Sequence, residues 1–176
     1  MRKSLFLTTC WLVFIMALGA RPAFARKPGQ PPHQNFEMGD LKLESGDTIK
    51  NFAISYVTHG KLNAEKSNAI LMVAAIGGNH HRNDFLIGPG KALDPTKYFI
   101  VATDAIGNGL TTSPSNSKAQ PGTQCPHFAI RDMVQSQHRL LVEQIGVSHI
   151  VAVAGASMGG SRCFNGGSAI RISWTP

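Results

Sequence analysis

Residues 149–160 read H-I-V-A-V-A-G-A-S-M-G-G, and this stretch most limits what the chain can fold into. Residues 150–154 form a short apolar run rich in β-branched side chains, the composition of a strand buried on both faces. Gly155-Ala156-Ser157-Met158-Gly159 follows at once as a G-x-S-x-G match. In a nucleophile elbow that spacing has a mechanical cause. The serine occupies a strained strand-to-helix turn, and glycines two residues before and after it let neighbouring backbone approach without a Cβ clash. The hydroxyl then projects above the sheet edge, where the N–H of the next residue can hold an oxyanion. An ordinary glycine-rich turn is the competing reading, since the chain has 18 glycines. The buried-strand pattern in front of the motif favours the elbow.

The N-terminus has a different grammar. Arg2-Lys3 precede an apolar stretch over residues 5–20, and Arg21-Pro22-Ala23-Phe24-Ala25 follows. A basic segment, a short apolar core and an A-x-A site are the parts of a secretory signal, so residues 1–25 are expected to be a cleaved signal peptide. The product is expected to be periplasmic or secreted, with no stable membrane association after cleavage. Losing Arg2, Lys3 and Arg21 lowers the formal net charge from +7 to +4. The remaining surplus is scattered, with no basic patch for nucleic acid or lipid. Of the three cysteines, Cys10 lies in the signal; Cys125 and Cys163 show no spacing that demands a bridge, and two inert thiols are expected.

Residues 26–38 read as a Pro-rich leader, and 39–160 as the domain. Strand-like runs occur at 41–43 and 52–57, with the turn former Ser45-Gly46-Asp47 between them. Buried-strand candidates follow at 70–75 and 98–103. Residues 104–125, rich in Gly, Ser, Asn and Pro, form a long loop of the kind retained for function. Apolar residues at Ile130, Met133, Val134, Leu140, Leu141 and Ile145 recur at helical spacing, and Gly146 is a natural C-cap. The pattern predicts an α/β fold in which an opening hairpin leads into a mostly parallel sheet with flanking helices.

Four blocks carry a family resemblance: Y-V-T-H-G-K-L-N at 56–63, L-I-G-P-G-K-A-L-D at 86–94, I-R-D-M-V at 130–134 and G-A-S-M-G-G at 155–160. In that order they resemble the N-terminal half of the homoserine O-acetyltransferase-like α/β-hydrolases. The resemblance implies a partial α/β-hydrolase fold and acyl chemistry on a small ester or thioester. It makes Ser157 the nucleophile and the N–H of Met158 one oxyanion donor. The second donor would come from Ile76 or Gly77. No cofactor or metal is implied.

Departures from the family pattern lie at 73–81 (V-A-A-I-G-G-N-H-H) and 104–117, and an exported protein is an odd place for acetyl-CoA-dependent methionine synthesis. An exported relative acting on another acyl group is therefore favoured over a homoserine acetyltransferase. The run His80-His81-Arg82-Asn83-Asp84 reads as a short polar loop beside the acyl site, not a metal motif. His127, Asp132 and Ser157 occur in a His…Asp…Ser order, but Asp132 and His138 fall on the predicted helix and read as surface or packing residues.

In this architecture the acid and histidine follow the serine. From Met158 to Pro176 there is no His, Asp or Glu. Residues 161–176 also lack the amphipathic pattern of the receiving helix, and Gly166-Gly167 would weaken one. Back-translating 164–176 with permitted codons and reading from the third base gives Q-W-G-Q-C-Y-P-D-F-M-D-T, which resembles what the family places after its elbow. Residues 161–176 are thus expected to be a frameshifted, non-family tail, and the chain an inactive truncated form. A non-catalytic exported binding module and one fragment of a split enzyme stay open as alternatives.

Overall fold

A computed structural model describes residues 29–169, with side chains up to Cys163. The expected signal peptide lies outside the described residues. The domain lies within the unit that begins at Pro31. Its five strands are β1 (Gln34–Lys42), β2 (Thr48–His59), β3 (Ala69–Val73), β4 (Phe99–Thr103) and β5 (Ile150–Gly155). They form one sheet in the order β1-β2-β4-β3-β5. The β1–β2 and β2–β4 pairs are antiparallel, while β3 lies parallel to both β4 and β5. This is the expected hairpin leading into a parallel sheet.

The inner strands form where apolar runs can be buried on two faces, whereas β5, expected to be buried on both, ends the sheet with only Ile150 buried and Val151 42 % exposed, because β3 pairs with it on one side only. All five residues of β3 are buried. Leu71 and Val73 join one apolar cluster, Ile70 and Met72 the other, as the two-residue period of a strand requires. The first cluster is covered by α1 (Ile130–Arg139), whose last turn continues as a π-helical segment, Leu140–Ile145. Leu140 and Leu141 are fully enclosed, each contributing about 1.5–3 kcal/mol by leaving water. Gly146 stops the segment in the left-handed conformation, at φ 73°. The second cluster is closed by Leu93 with Ile87 and Tyr98.

β1 begins at Gln34, inside the stretch expected to be leader. The proline-rich run ends at Pro32, and the twelve-residue β2 offers a ladder as far as the Gln34–Tyr56 pair. Polar Q-N and Glu37 suit an edge strand that faces water on one side. The long loop after β4 also differs from expectation, because it is stitched to β2. Ser55 N–H donates to Thr111 Oγ1 (3.0 Å), Ala53 N–H to Thr112 Oγ1 (2.9 Å), and Thr112 N–H to the Ala53 carbonyl (3.0 Å).

Two of the family-like blocks meet at Gly60. It sits at φ 78°, and a Cβ there would lie 2.2 Å from the Tyr98 carbonyl oxygen and 2.5 Å from that of Pro95. Only glycine fits where the end of Y-V-T-H-G packs on the turn after L-I-G-P-G-K-A-L-D. That turn is tied by Asp94, whose carboxylate accepts from Gly90 N–H (2.9 Å), Thr96 N–H (2.9 Å) and Thr96 Oγ1 (2.7 Å). The Gly90 N–H and the Thr96 donors hold its carboxyl below the ordinary carboxylate range.

Asp132 is a structural residue. It is 1 % exposed and accepts from Ala129 N–H at the start of α1 (2.7 Å) and from Glu44 N–H in the hairpin turn (2.8 Å). Asp132→Ala strands two backbone donors and is expected to cost about 2–3 kcal/mol in urea unfolding. Asp132→Asn, which keeps one acceptor, is expected to cost less than half of that. Equal losses for the two variants would contradict this role.

Candidate functional site

β5 ends at Gly155, and α2 (Met158–Ala169) starts three residues later. Ser157 lies between them at φ 55°, exposed. A non-glycine residue held in the left-handed region costs about 1–2 kcal/mol, and the surrounding packing shows what enforces it. A Cβ on Gly155 would lie 2.6 Å from Val73 Cγ2 and 2.8 Å from the Gly159 carbonyl carbon. On Gly159 it would lie 2.7 Å from the Val73 carbonyl oxygen. The two glycines thus let the first turn of α2 lie directly on the end of β3. The turn is closed by Gly159 N–H to the Ala156 carbonyl (2.9 Å) and Ser161 N–H to that of Ser157 (3.2 Å).

The register of the sheet places the other candidates beside this turn. Val73 pairs with Gly155, so the segments leaving β3 and β5 emerge side by side at the carboxyl edge of parallel strands, where α/β sheets carry their ligands. After β3 the chain makes a turn closed by Gly78 N–H to the Ala75 carbonyl (3.2 Å). Ile76 and Gly77 are its two exposed central residues, Ile76 at 71 % exposure. Met158 is half-buried and packs against the main cluster. Ser157, Met158, Ile76 and Gly77 therefore share one edge of the sheet. Among the described residues the Ser157 hydroxyl has no hydrogen-bond partner.

The residues in His…Asp…Ser order are not assembled as a triad. His127 is exposed ahead of α1, His138 is half-buried on it, and Asp132 is spent on backbone donors. Cys125 and Cys163 are free thiols, both pushed up by burial.

Position 80 departs from the expected polar loop. Residues His80–Leu86 form a 3₁₀ turn whose first side chain is 1 % exposed. His80 Nδ1 meets Asp104 Oδ2 at 2.6 Å, and the other oxygen of Asp104 accepts from His80 N–H (2.9 Å) and Asn108 Nδ2 (2.9 Å). A carboxylate only accepts, so His80 carries its proton on Nδ1. The sequence signal for this pair was Asp104 itself, a charged residue immediately following a buried strand. Burial also holds the imidazoles of His59 and His81 below their ordinary value.

α2 persists through Ala169 despite Gly166-Gly167. Helix propensity is a weak prior beside tertiary context, and here the elbow and the packing on β3 set the direction of the chain. The expectation that residues 161–176 would not form the receiving helix is thus corrected for the backbone up to Ala169. The side chain at 162 is nonetheless anomalous. Arg162 is 1 % exposed, donates through Nη2 to the Ala74 carbonyl, and leaves Nε and Nη1 without partners. Desolvation lowers its pKa to about 10. Replacing a poorly paired buried ion with an apolar side chain commonly stabilises a fold. Arg162→Met is expected to raise stability by about 1–3 kcal/mol in urea unfolding; a loss of stability would contradict the reading of Arg162 as a misfit.

Comparison with known proteins places this arrangement. The chain is 39% identical over 138 residues to a probable esterase of Corynebacterium glutamicum, covering 77% of this chain and 40% of that protein. It is 39% identical over 137 residues to an ethyl acetate hydrolase of Pseudomonas veronii, covering 76% and 39%. A homoserine O-acetyltransferase of Methanohalophilus mahii is 41% identical over 137 residues, covering 68% and 28%. Among solved structures, the acetyl esterase MekB superposes with TM-score 0.74 at 37% identity, covering 77% of this chain and 40% of that one. The chain belongs to the homoserine O-acetyltransferase-like α/β-hydrolases. It spans about 40% or less of the length of these curated relatives. No protein-family model matches it. Among the described residues, no helix is long and apolar enough to cross a membrane.

Proposed function

We propose that Ser157 is the nucleophile of an exported acyl hydrolase acting on small acyl esters. In this reading Ser157 Oγ attacks the ester carbonyl, the alkoxide leaves as the alcohol, and water then releases the acid from the acyl-serine. The N–H of Met158 and one N–H of the Ile76-Gly77 turn hold the oxyanion, and losing one such donor typically costs ~3 kcal/mol of transition-state stabilisation. The observation that carries the reading is Ser157 at φ 55° between two glycines that Cβ atoms would drive into β3. Strain of this kind is kept where the surroundings over-determine it, and functional sites are where it collects. Ester hydrolases and homoserine O-acetyltransferases both stand among the relatives, and it is the expected export that favours hydrolysis of a small acyl ester over transfer to homoserine.

A serine hydroxyl needs a neighbouring acceptor for its proton. Met158 to Pro176 supply no His, Asp or Glu, so in this reading the acid and base of the family's chain order are not among these residues. We further propose that residues 161–176 are read out of frame. The buried, poorly paired Arg162 in the helix behind the elbow supports this. The test is a comparison of p-nitrophenyl acetate turnover. The chain as written is expected to show none above the uncatalysed rate. Residues 1–160 joined to the remainder of the Pseudomonas veronii ethyl acetate hydrolase are expected to restore it. Turnover by the chain alone would overturn the dependence on outside residues.

A further inference from the structure

Three histidines that the proposed acyl chemistry does not use meet in one cluster. His33 stands just before β1, and His80 and His81 open the 3₁₀ turn after β3. The ring centroids of His80 lie 4.3 Å from those of both His33 and His81, and those of His33 and His81 are 5.3 Å apart. One ring nitrogen from each falls within 4.8 Å of the other two. His80 Nδ1 is held by Asp104 at 2.6 Å and His81 Nδ1 by Asp84 at 2.9 Å. The Nε2 atoms of His80 and His81 are both buried without a hydrogen-bond partner.

A buried imidazole nitrogen with no partner normally carries a penalty. Two of them, each in a ring whose opposite nitrogen is fixed by a carboxylate, form the carboxylate–histidine arrangement that presents a lone pair to a metal. We propose that His33, His80 and His81 bind a divalent transition ion of the Zn²⁺ type, with Asp104 and Asp84 orienting two of the three ligands. Three neutral imidazoles suit Zn²⁺ and exclude the oxygen-preferring Mg²⁺ and Ca²⁺. Ligands about 2.0–2.1 Å from a tetrahedral ion stand closer together than 4.8 Å, so binding draws the rings inward. The fourth position is left to water or an exogenous ligand.

The experiment is equilibrium dialysis of the untagged full chain against Zn²⁺, with bound metal quantified by mass spectrometry, and repeated with Co²⁺ as the spectroscopic probe. The same titration on the joined protein described above covers the case in which the chain alone is insoluble. One ion per chain is expected, with the intense visible bands of four-coordinate Co²⁺. His33→Ala and His81→Ala are each expected to weaken binding at least 10-fold, and Asp84→Asn about 10-fold through the orientation of His81. His127→Ala, exposed and elsewhere, is expected to change nothing. Circular dichroism of each variant separates loss of a ligand from loss of the fold. Absence of stoichiometric Zn²⁺ on folded protein, or affinity unchanged in both His33→Ala and His81→Ala, would overturn the proposal.

Discussion

Gly155→Ala and Gly159→Ala are each expected to destabilise the domain by about 2–3 kcal/mol, whereas Ser157→Gly is expected to stabilise it by about 1 kcal/mol. The opposite signs follow from one piece of geometry. At Gly155 and Gly159 an added Cβ meets Val73 and the neighbouring backbone at 2.6–2.9 Å. Backbone on both sides cannot retreat without separating α2 from β3, so the clash becomes overpacking of the kind that typically costs 1–3 kcal/mol. Ser157 presents the reverse case, since it already pays for φ 55°. Glycine removes the steric part of that cost, offset partly by the greater freedom of the unfolded chain. Urea midpoints of the three variants, measured on the joined protein, check the prediction. A serine variant as destabilised as the two alanine variants would mean that the turn is not strained.

The second large effect concerns catalysis. In the joined protein, Ser157→Ala is expected to lower kcat for p-nitrophenyl acetate by about 10,000-fold or more, with the fold intact. That is roughly 5.5 kcal/mol of barrier. The size follows from the role: removing a nucleophile leaves only binding and the oxyanion donors, which retain a small residual rate enhancement. A change of Ile76, by contrast, leaves its backbone N–H in place. Ile76→Ala is therefore expected to act mainly on KM through the 71 % exposed side chain, and a loss in kcat like that of Ser157→Ala would contradict the division of roles. Ser157→Gly, the stabilised variant, is expected to be as inactive as Ser157→Ala. Stability and activity then move in opposite directions at one position, as expected where a strained turn exists for its chemistry.

Much of this architecture was legible before any coordinates. The runs that form β3 and β4 stand out because both of their faces are buried, which removes polar residues from the sequence. The run of β5 has the same composition, yet that strand lies at the end of the sheet and leaves Val151 exposed. α1 was visible from its period, and its end from Gly146, the one residue type that takes φ 73° without strain. The features without a local signal depend on tertiary partners. The first residues of β1 are polar because that strand lies at the edge of the sheet, and only its partner β2 makes them a strand. The loop after β4 is ordered by Thr111 and Thr112 bonding to β2 more than 55 residues earlier. No local pattern encodes that. His80 looked like part of a polar loop because Asp104, which neutralises the cost of burying it, is 24 residues away. α2 survives two adjacent glycines because the elbow and β3 set its course.

The central claim is that Ser157 becomes a nucleophile once the family's acid and histidine are supplied. The most direct test is labelling of the joined protein with a fluorophosphonate, followed by peptide mapping by mass spectrometry. The account predicts one phosphonylated peptide, carrying the label on Ser157, and no labelling of the chain as written. A joined protein that hydrolyses p-nitrophenyl acetate while its label sits on another residue would contradict it.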